Sequence, residues 1–154
     1  VNVYAIAGAT GLPVTVVAAD LADHADPDLP GEVDDRAGRE YVRQVRRSQA
    51  RHEALVAEYE AARAAWGEQR ARVFHEAREE AARKCGRELR AQSVTGRRRK
   101  EMAWRMALLP ATQAAEEWER AHPFPPFETW AKSSEGRAAA SRVERALERE
   151  AVPA

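Results

Sequence analysis

Alanine supplies most of what looks apolar in this sequence. Of 154 residues 33 are Ala, whereas Leu, Ile, Val and Phe together number 25. Burial contributes roughly 25 cal/mol per Å² of apolar surface, so methyl side chains cannot drive a large core. That excludes an α/β enzyme built on several buried strands. A chain this poor in large hydrophobes would be disordered if it also carried a strong net charge. Here 25 Lys and Arg balance 25 Asp and Glu, and the apolar residues keep a helical period. The expected fold class is all-α, with long Ala-rich helices laced by ion pairs.

The balance is the sum of two unlike parts. Residues 1–35 carry Asp20, Asp23, Asp26, Asp28, Glu32, Asp34 and Asp35 without a single Lys or Arg, a net charge of −7. The remainder is therefore +7, an acidic head on a basic body. One cysteine, Cys85, permits no intrachain disulfide and fits a reducing compartment. No stretch approaches the roughly 18–20 apolar residues that span a bilayer. No basic region followed by an apolar run opens the sequence, so no leader is expected. These readings imply no membrane partner and a place in the cytoplasm or within an assembled particle.

Four segments are expected. Residues 1–25 form the head, a helix over 3–10 and a second over 13–25, parted by Gly11-Leu12-Pro13. Residues 26–35 are a Pro/Gly-rich linker. Residues 36–121 are a long helical hairpin, resembling one strand of a coiled coil and its return. Val45, His52, Tyr59, Trp66 and Val73 recur every seven positions, with Leu55 on the companion line. Glu68–Arg72, Glu79–Arg83 and Lys84–Glu88 are spaced for ion pairs of ~0.3 kcal/mol each. Gly67 and Gly86 each cost ~1 kcal/mol in a helix, and Gly86 is a candidate terminator. After a turn at Ser93–Gly96, an antiparallel return helix over 97–121 presents Trp104, Leu108, Ala111, Ala115 and Trp118 as one apolar face. Pro110 should kink or restart it. Residues 122–154 are an arm: His122-Pro123-Phe124-Pro125-Pro126-Phe127 is extended, hinging a last helix capped by Ser134 with a face of Ala140, Val143 and Leu147. Stripes this sparse call for a homo-oligomer.

Catalytic and metal chemistry find no foothold. Gly8-Ala9-Thr10-Gly11 lacks the third glycine and the βα repeat of a dinucleotide loop. His75-Glu76-Ala77-Arg78-Glu79 has Glu79 where a zinc-protease helix needs its second histidine. Glu119 and His122 supply only one of the two Glu-x-x-His motifs of a di-iron bundle. His24 and His52 show no metal-ligand spacing, and Cys85, near Lys84 and Arg87, belongs to no assignable Cys/His/Asn arrangement. No cofactor, metal, catalytic residue or small-molecule substrate is expected.

Charge and aromatics point to macromolecular partners. Arg87, Arg90, Arg97, Arg98, Arg99 and Lys100 are the candidate phosphate contacts, in a basic region that also holds Arg83, Lys84 and Arg105. A separate basic run covers Arg36, Arg39, Arg43, Arg46, Arg47 and Arg51. Asp20, Asp23 and Asp26 are candidates for docking other protein subunits. Phe124, Phe127 and Trp130 either dock in a partner's groove or cap the chain's own bundle.

The run from Ile6 to Val17 resembles the core of a helix-turn-helix, with Ala7, Gly11, Leu12, Val17 and Leu21 at its buried positions and Gly11 in the turn. The overall layout is similar to phage small terminase subunits and other phage assembly proteins. The resemblance implies DNA binding through the second helix, but an acidic head repels phosphates. The expected function is therefore a non-enzymatic oligomeric assembly protein, such as a phage virion or scaffold component. It would dock through acidic head, basic body and aromatic arm. The alternative is a helix-turn-helix DNA-binding protein, a regulator or small-terminase-like subunit, on a helical oligomerisation stalk.

Overall fold

Asp34 begins the longest element. Its carboxylate accepts the backbone N–H of Arg36 at 3.0 Å and of Ala37 at 2.9 Å, satisfying donors that a helix start leaves open. In the computed structural model, which describes residues 1–151, the helix that follows runs unbroken over Asp35–Ala91. The fold is all-α: α1 Val3–Thr10, α2 Val14–Asp20, a 3-10 turn Ala22–His24, α3 Asp35–Ala91, α4 Gly96–Met106, α5 Leu108–Ala121, α6 Phe127–Lys132 and α7 Ser134–Ala151.

Gly67 and Gly86 do not interrupt α3. It closes where Ser93 takes a left-handed φ of 68° and Val94 N–H reaches back to Leu89 O at 2.9 Å, the six-to-one bond of a Schellman close. Pro110 restarts the return helix. α4 ends at Met106, whose carbonyl the Pro110 ring would strike, and Pro110 lies in the first turn of α5, where no helical N–H is needed. The cap of α7 is Ser133 rather than Ser134. Ser133 has the extended backbone of a cap, and its hydroxyl accepts Gly136 N–H at 3.1 Å.

The chain divides into two compact units: Val1–Val56 with the chain from Ala140 on, and Ala57–Ala139. These limits differ from the four expected segments, because α3 supplies residues to both units. The last three residues of the 122–154 arm lie outside the described residues.

In the first unit, Val3, Ile6, Ala7, Val17, Leu21 and Val33 are buried together, with Leu12, Val14, Tyr41 and Val42 packed against them. α1 and α2 meet at a bend of 114°, across a link in which Gly11 has φ 72° and donates its N–H to Ala7 O at 2.8 Å. The second helix stops at Asp20, short of the expected Ala25. Residues 26–35 are not an open linker either. Val3 N–H bonds Gly31 O at 2.9 Å, Asp26 N–H bonds Glu32 O at 2.8 Å and Asp34 N–H bonds His24 O at 3.0 Å, so the segment folds back and places Val33 in the core. α3 then crosses closely. A Cβ on Gly38 would lie 3.1 Å from Ile6, and Gln49 donates to Thr10 O at 2.8 Å, capping α1.

Tyr41 donates its hydroxyl to Asp20 at 2.6 Å. Burial, reinforced by the Asp20 carboxylate, pushes the phenol up to about 12 from an ordinary value of 10.0. A raised acid favours the folded state below its unfolded pKa, and that contribution is lost as pH rises through the folded value. The first unit should therefore lose stability between about pH 10 and 12. Subtracting a Tyr41→Phe titration at 295 nm from that of the wild type should isolate one phenol ionising near pH 12. A difference curve centred at 10 would show that neither the burial of the Tyr41 ring nor its Asp20 contact persists in solution.

In the second unit, α4 and α5 return antiparallel along α3. Arg70 pairs with Glu119 at 2.9 Å, Trp66 lies 5.7 Å from Trp118, and Tyr59 donates to Pro125 O at 2.9 Å. The buried face is an alanine ladder, Ala103, Ala107, Ala111 and Ala115. Trp104 and Leu108, expected on that face, are 42% and 48% exposed. Ala111 and Ala115 are buried as expected, but before them the inward position falls one residue earlier, about 100° round the helix, because alanine lets α4 approach α3 closely: a Cβ on Gly86 would meet Ala103 Cβ at 4.0 Å. Val45, Leu55, Tyr59, Trp66, Val73 and Trp118 of the expected stripe are half-buried. No single helix among the described residues is long and apolar enough to cross a membrane.

A candidate basic docking groove

Glu79, Arg83, Arg87 and Arg90 follow a 4, 4, 3 spacing, which places them on one face of α3. Arg99 and Lys100 come from α4, on the other side of the Ser93 turn. All six line one groove of about 600 Å³ in the second unit. Ala82, Gly86 and Ala103 also line it, and their small size leaves the space open. Trp104 completes it, fixed by Arg78. That guanidinium sits 4.0 Å from the indole centroid and donates to Trp104 O at 3.0 and 3.2 Å.

Five cations therefore surround one carboxylate. None of the five has an ion-pair partner among the described residues. The expected Glu79–Arg83 pair is not closed, and neither are Glu68–Arg72 and Lys84–Glu88. Like charges held together favour capture of an anionic surface.

Four of the six cations of the other basic run are engaged inside the first unit. Arg43 pairs with Glu40 at 2.7 Å, Arg47 with Glu144 at 3.6 Å, and Arg51 also holds Glu144. Arg46 donates to Ala9 O at 3.3 Å. Composition ranks the two runs alike; only the contacts separate the spent one from the open one.

Of the six candidate phosphate contacts, the structure gathers Arg87, Arg90, Arg99 and Lys100 and adds Arg83. Arg97 is drawn into a pair with Glu101 at 2.9 Å, and Arg98 does not line the groove. The α-helical period carries this signal, since adjacent residues in Arg97-Arg98-Arg99 point about 100° apart.

Among the docking candidates, Asp20, Asp23 and Asp26 are exposed. Asp20 accepts from Tyr41, and Asp26 accepts Asp28 N–H at 2.9 Å. The aromatic arm is turned inward. Phe124, Phe127 and Trp130 lie 5.3, 5.4 and 5.4 Å from the Tyr59 ring, and Trp130 is 2% exposed. These three rings cap the chain's own helices instead of projecting toward a partner, because Tyr59 and Trp66 need a cover that alanine cannot supply.

Among the described residues no group of three or more His, Cys, Asp or Glu is placed to hold a metal ion. Compared with protein-family models, curated proteins and solved structures, the chain matches none.

Proposed function

We propose that this chain is a non-enzymatic interaction protein that assembles with copies of itself, as a scaffold or virion component would. The basic groove of one copy receives the acidic N-terminal segment of another. The observation that carries the reading is the five unpaired cations gathered from α3 and α4, set against a segment of residues 1–35 holding seven acids and no base. Attraction of this kind is long-ranged at low salt and screened within ~10 Å at 0.1 M.

Sedimentation velocity at tens of micromolar in low salt should show an oligomer that dissociates as salt rises. Arg87→Glu/Arg90→Glu/Arg99→Glu should weaken assembly at least about tenfold, the loss of roughly 1.4 kcal/mol. Asp20→Lys/Asp23→Lys/Asp26→Lys should do the same, and mixing the two variants should restore a complex. A monomer in low salt would reject self-assembly.

A second reading, nucleic-acid binding, is favoured by the exposed Trp104 beside the guanidiniums and by the 114° bend of α1 against α2, a helix-turn-helix-like angle. It draws no support from α2 itself, whose exposed Thr15, Val16, Ala18, Ala19 and Asp20 include no cation. Anisotropy titration of a labelled duplex separates the readings. The nucleic-acid reading requires tight binding with a steep salt slope, lost in Arg99→Ala and largely kept in Arg97→Ala.

A further inference from the structure

A second opening in the Ala57–Ala139 unit has the opposite character. It encloses about 680 Å³ and is lined by Trp66, Trp118, Phe124 and Trp130, with Glu68 and Glu135 as its carboxylates and Arg72 as its one cation. Two features mark it as more than packing. The Glu68–Arg72 pair that helical spacing offers is not closed, so both carboxylates line the cleft without an ion-pair partner among the described residues. The Nε1 of Trp130 is buried without a hydrogen-bond partner, whereas the Trp66 Nε1 donates to His122 O at 2.6 Å. Buried polar groups are nearly always satisfied.

We propose that this cleft binds an arginine side chain of an extended basic peptide. A guanidinium is the group that suits both halves of the lining. It is attracted to indole rings and makes paired hydrogen bonds with carboxylates. The site is independent of the basic groove, which selects the opposite charge.

The test is an ¹⁵N-labelled full chain titrated with acetyl-Gly-Arg-Gly-amide, read at the four tryptophan indole resonances. Trp130→Phe assigns the Trp130 signal. The Trp66, Trp118 and Trp130 signals should shift saturably, while Trp104 stays in place. Glu68→Gln and Glu135→Gln alter exposed residues and should leave the spectrum folded while weakening the peptide about tenfold. Ethylguanidinium, the cation without the peptide, should shift the same three signals. Equal shifts with acetyl-Gly-Gln-Gly-amide, unchanged affinity in both Gln variants, or no shift at millimolar peptide would each overturn the proposal.

Discussion

Gly136→Ala is expected to destabilise the protein by about 3 kcal/mol, which for a chain of this size lowers the melting temperature by about 10 °C. Gly136 is buried in the first turn of α7, where Ser133 holds the chain in a tight corner: its hydroxyl donates to Trp130 O at 2.5 Å and accepts Gly136 N–H at 3.1 Å. A Cβ built there collides with the Trp130 carbonyl and lies 2.7 Å from Ala131 Cα. Both neighbours are backbone, so neither can swing aside, and the corner that seats Trp130 must open. The opposite sign is expected at Gly67. It lies inside α3 with nothing within 4 Å of an added Cβ. Gly67→Ala should stabilise the protein by about 1 kcal/mol through helix propensity alone. Thermal melts followed by circular dichroism measure both. Equal melting of wild type and Gly136→Ala would show that the Trp130–Gly136 corner relaxes at little cost.

Trp130→Ala should cost about 3–5 kcal/mol, the range for deleting a buried large aromatic. The ring is 2% exposed, 5.4 Å from Tyr59 and 6.3 Å from Phe127. Its removal leaves Tyr59, Phe127 and the rest of this aromatic cluster facing a void. Trp104→Ala should cost no more than about 1 kcal/mol, since that ring is 42% exposed and its main contact is the Arg78 guanidinium. Urea denaturation of the two variants gives the comparison. Similar losses would mean that α4 sits with Trp104 inward, as the 4, 3, 4, 3 spacing predicts.

These contrasts locate what the sequence conveys and where it stops. The period of α3, the restart near Pro110 and the extended stretch from Pro123 to Pro126 are legible, because each follows from local backbone chemistry; the short helix α6 that Phe127 opens is not. The face that α4 buries is not. Trp104 and Leu108 are the larger side chains, and hydrophobicity alone puts them inward. Close approach of two helices instead favours Ala103 and Ala107, and that choice depends on Gly86 standing opposite, which sequence distance conceals. The role of residues 26–35 is hidden for a similar reason: Pro and Gly signal a break in the helix, and only the bonds to residues 3 and 24 show that the chain folds back to close a core.

The candidate site divides in the same way. Charge segregation is a property of the sequence, since no fold can move an arginine into residues 1–35. The sequence by itself determined an all-α chain with an acidic head and a basic body, because propensity, period and charge are local quantities. The tertiary structure decided which cations are spent and which are open. Arg47 and Arg51 meet Glu144 across a separation of about 95 residues, while Arg83, Arg87 and Arg90 meet Arg99 and Lys100 across a single turn. An ion pair or a groove is a relation between segments, fixed by how helices pack, and packing here is set by the few glycine and alanine positions where two backbones come close.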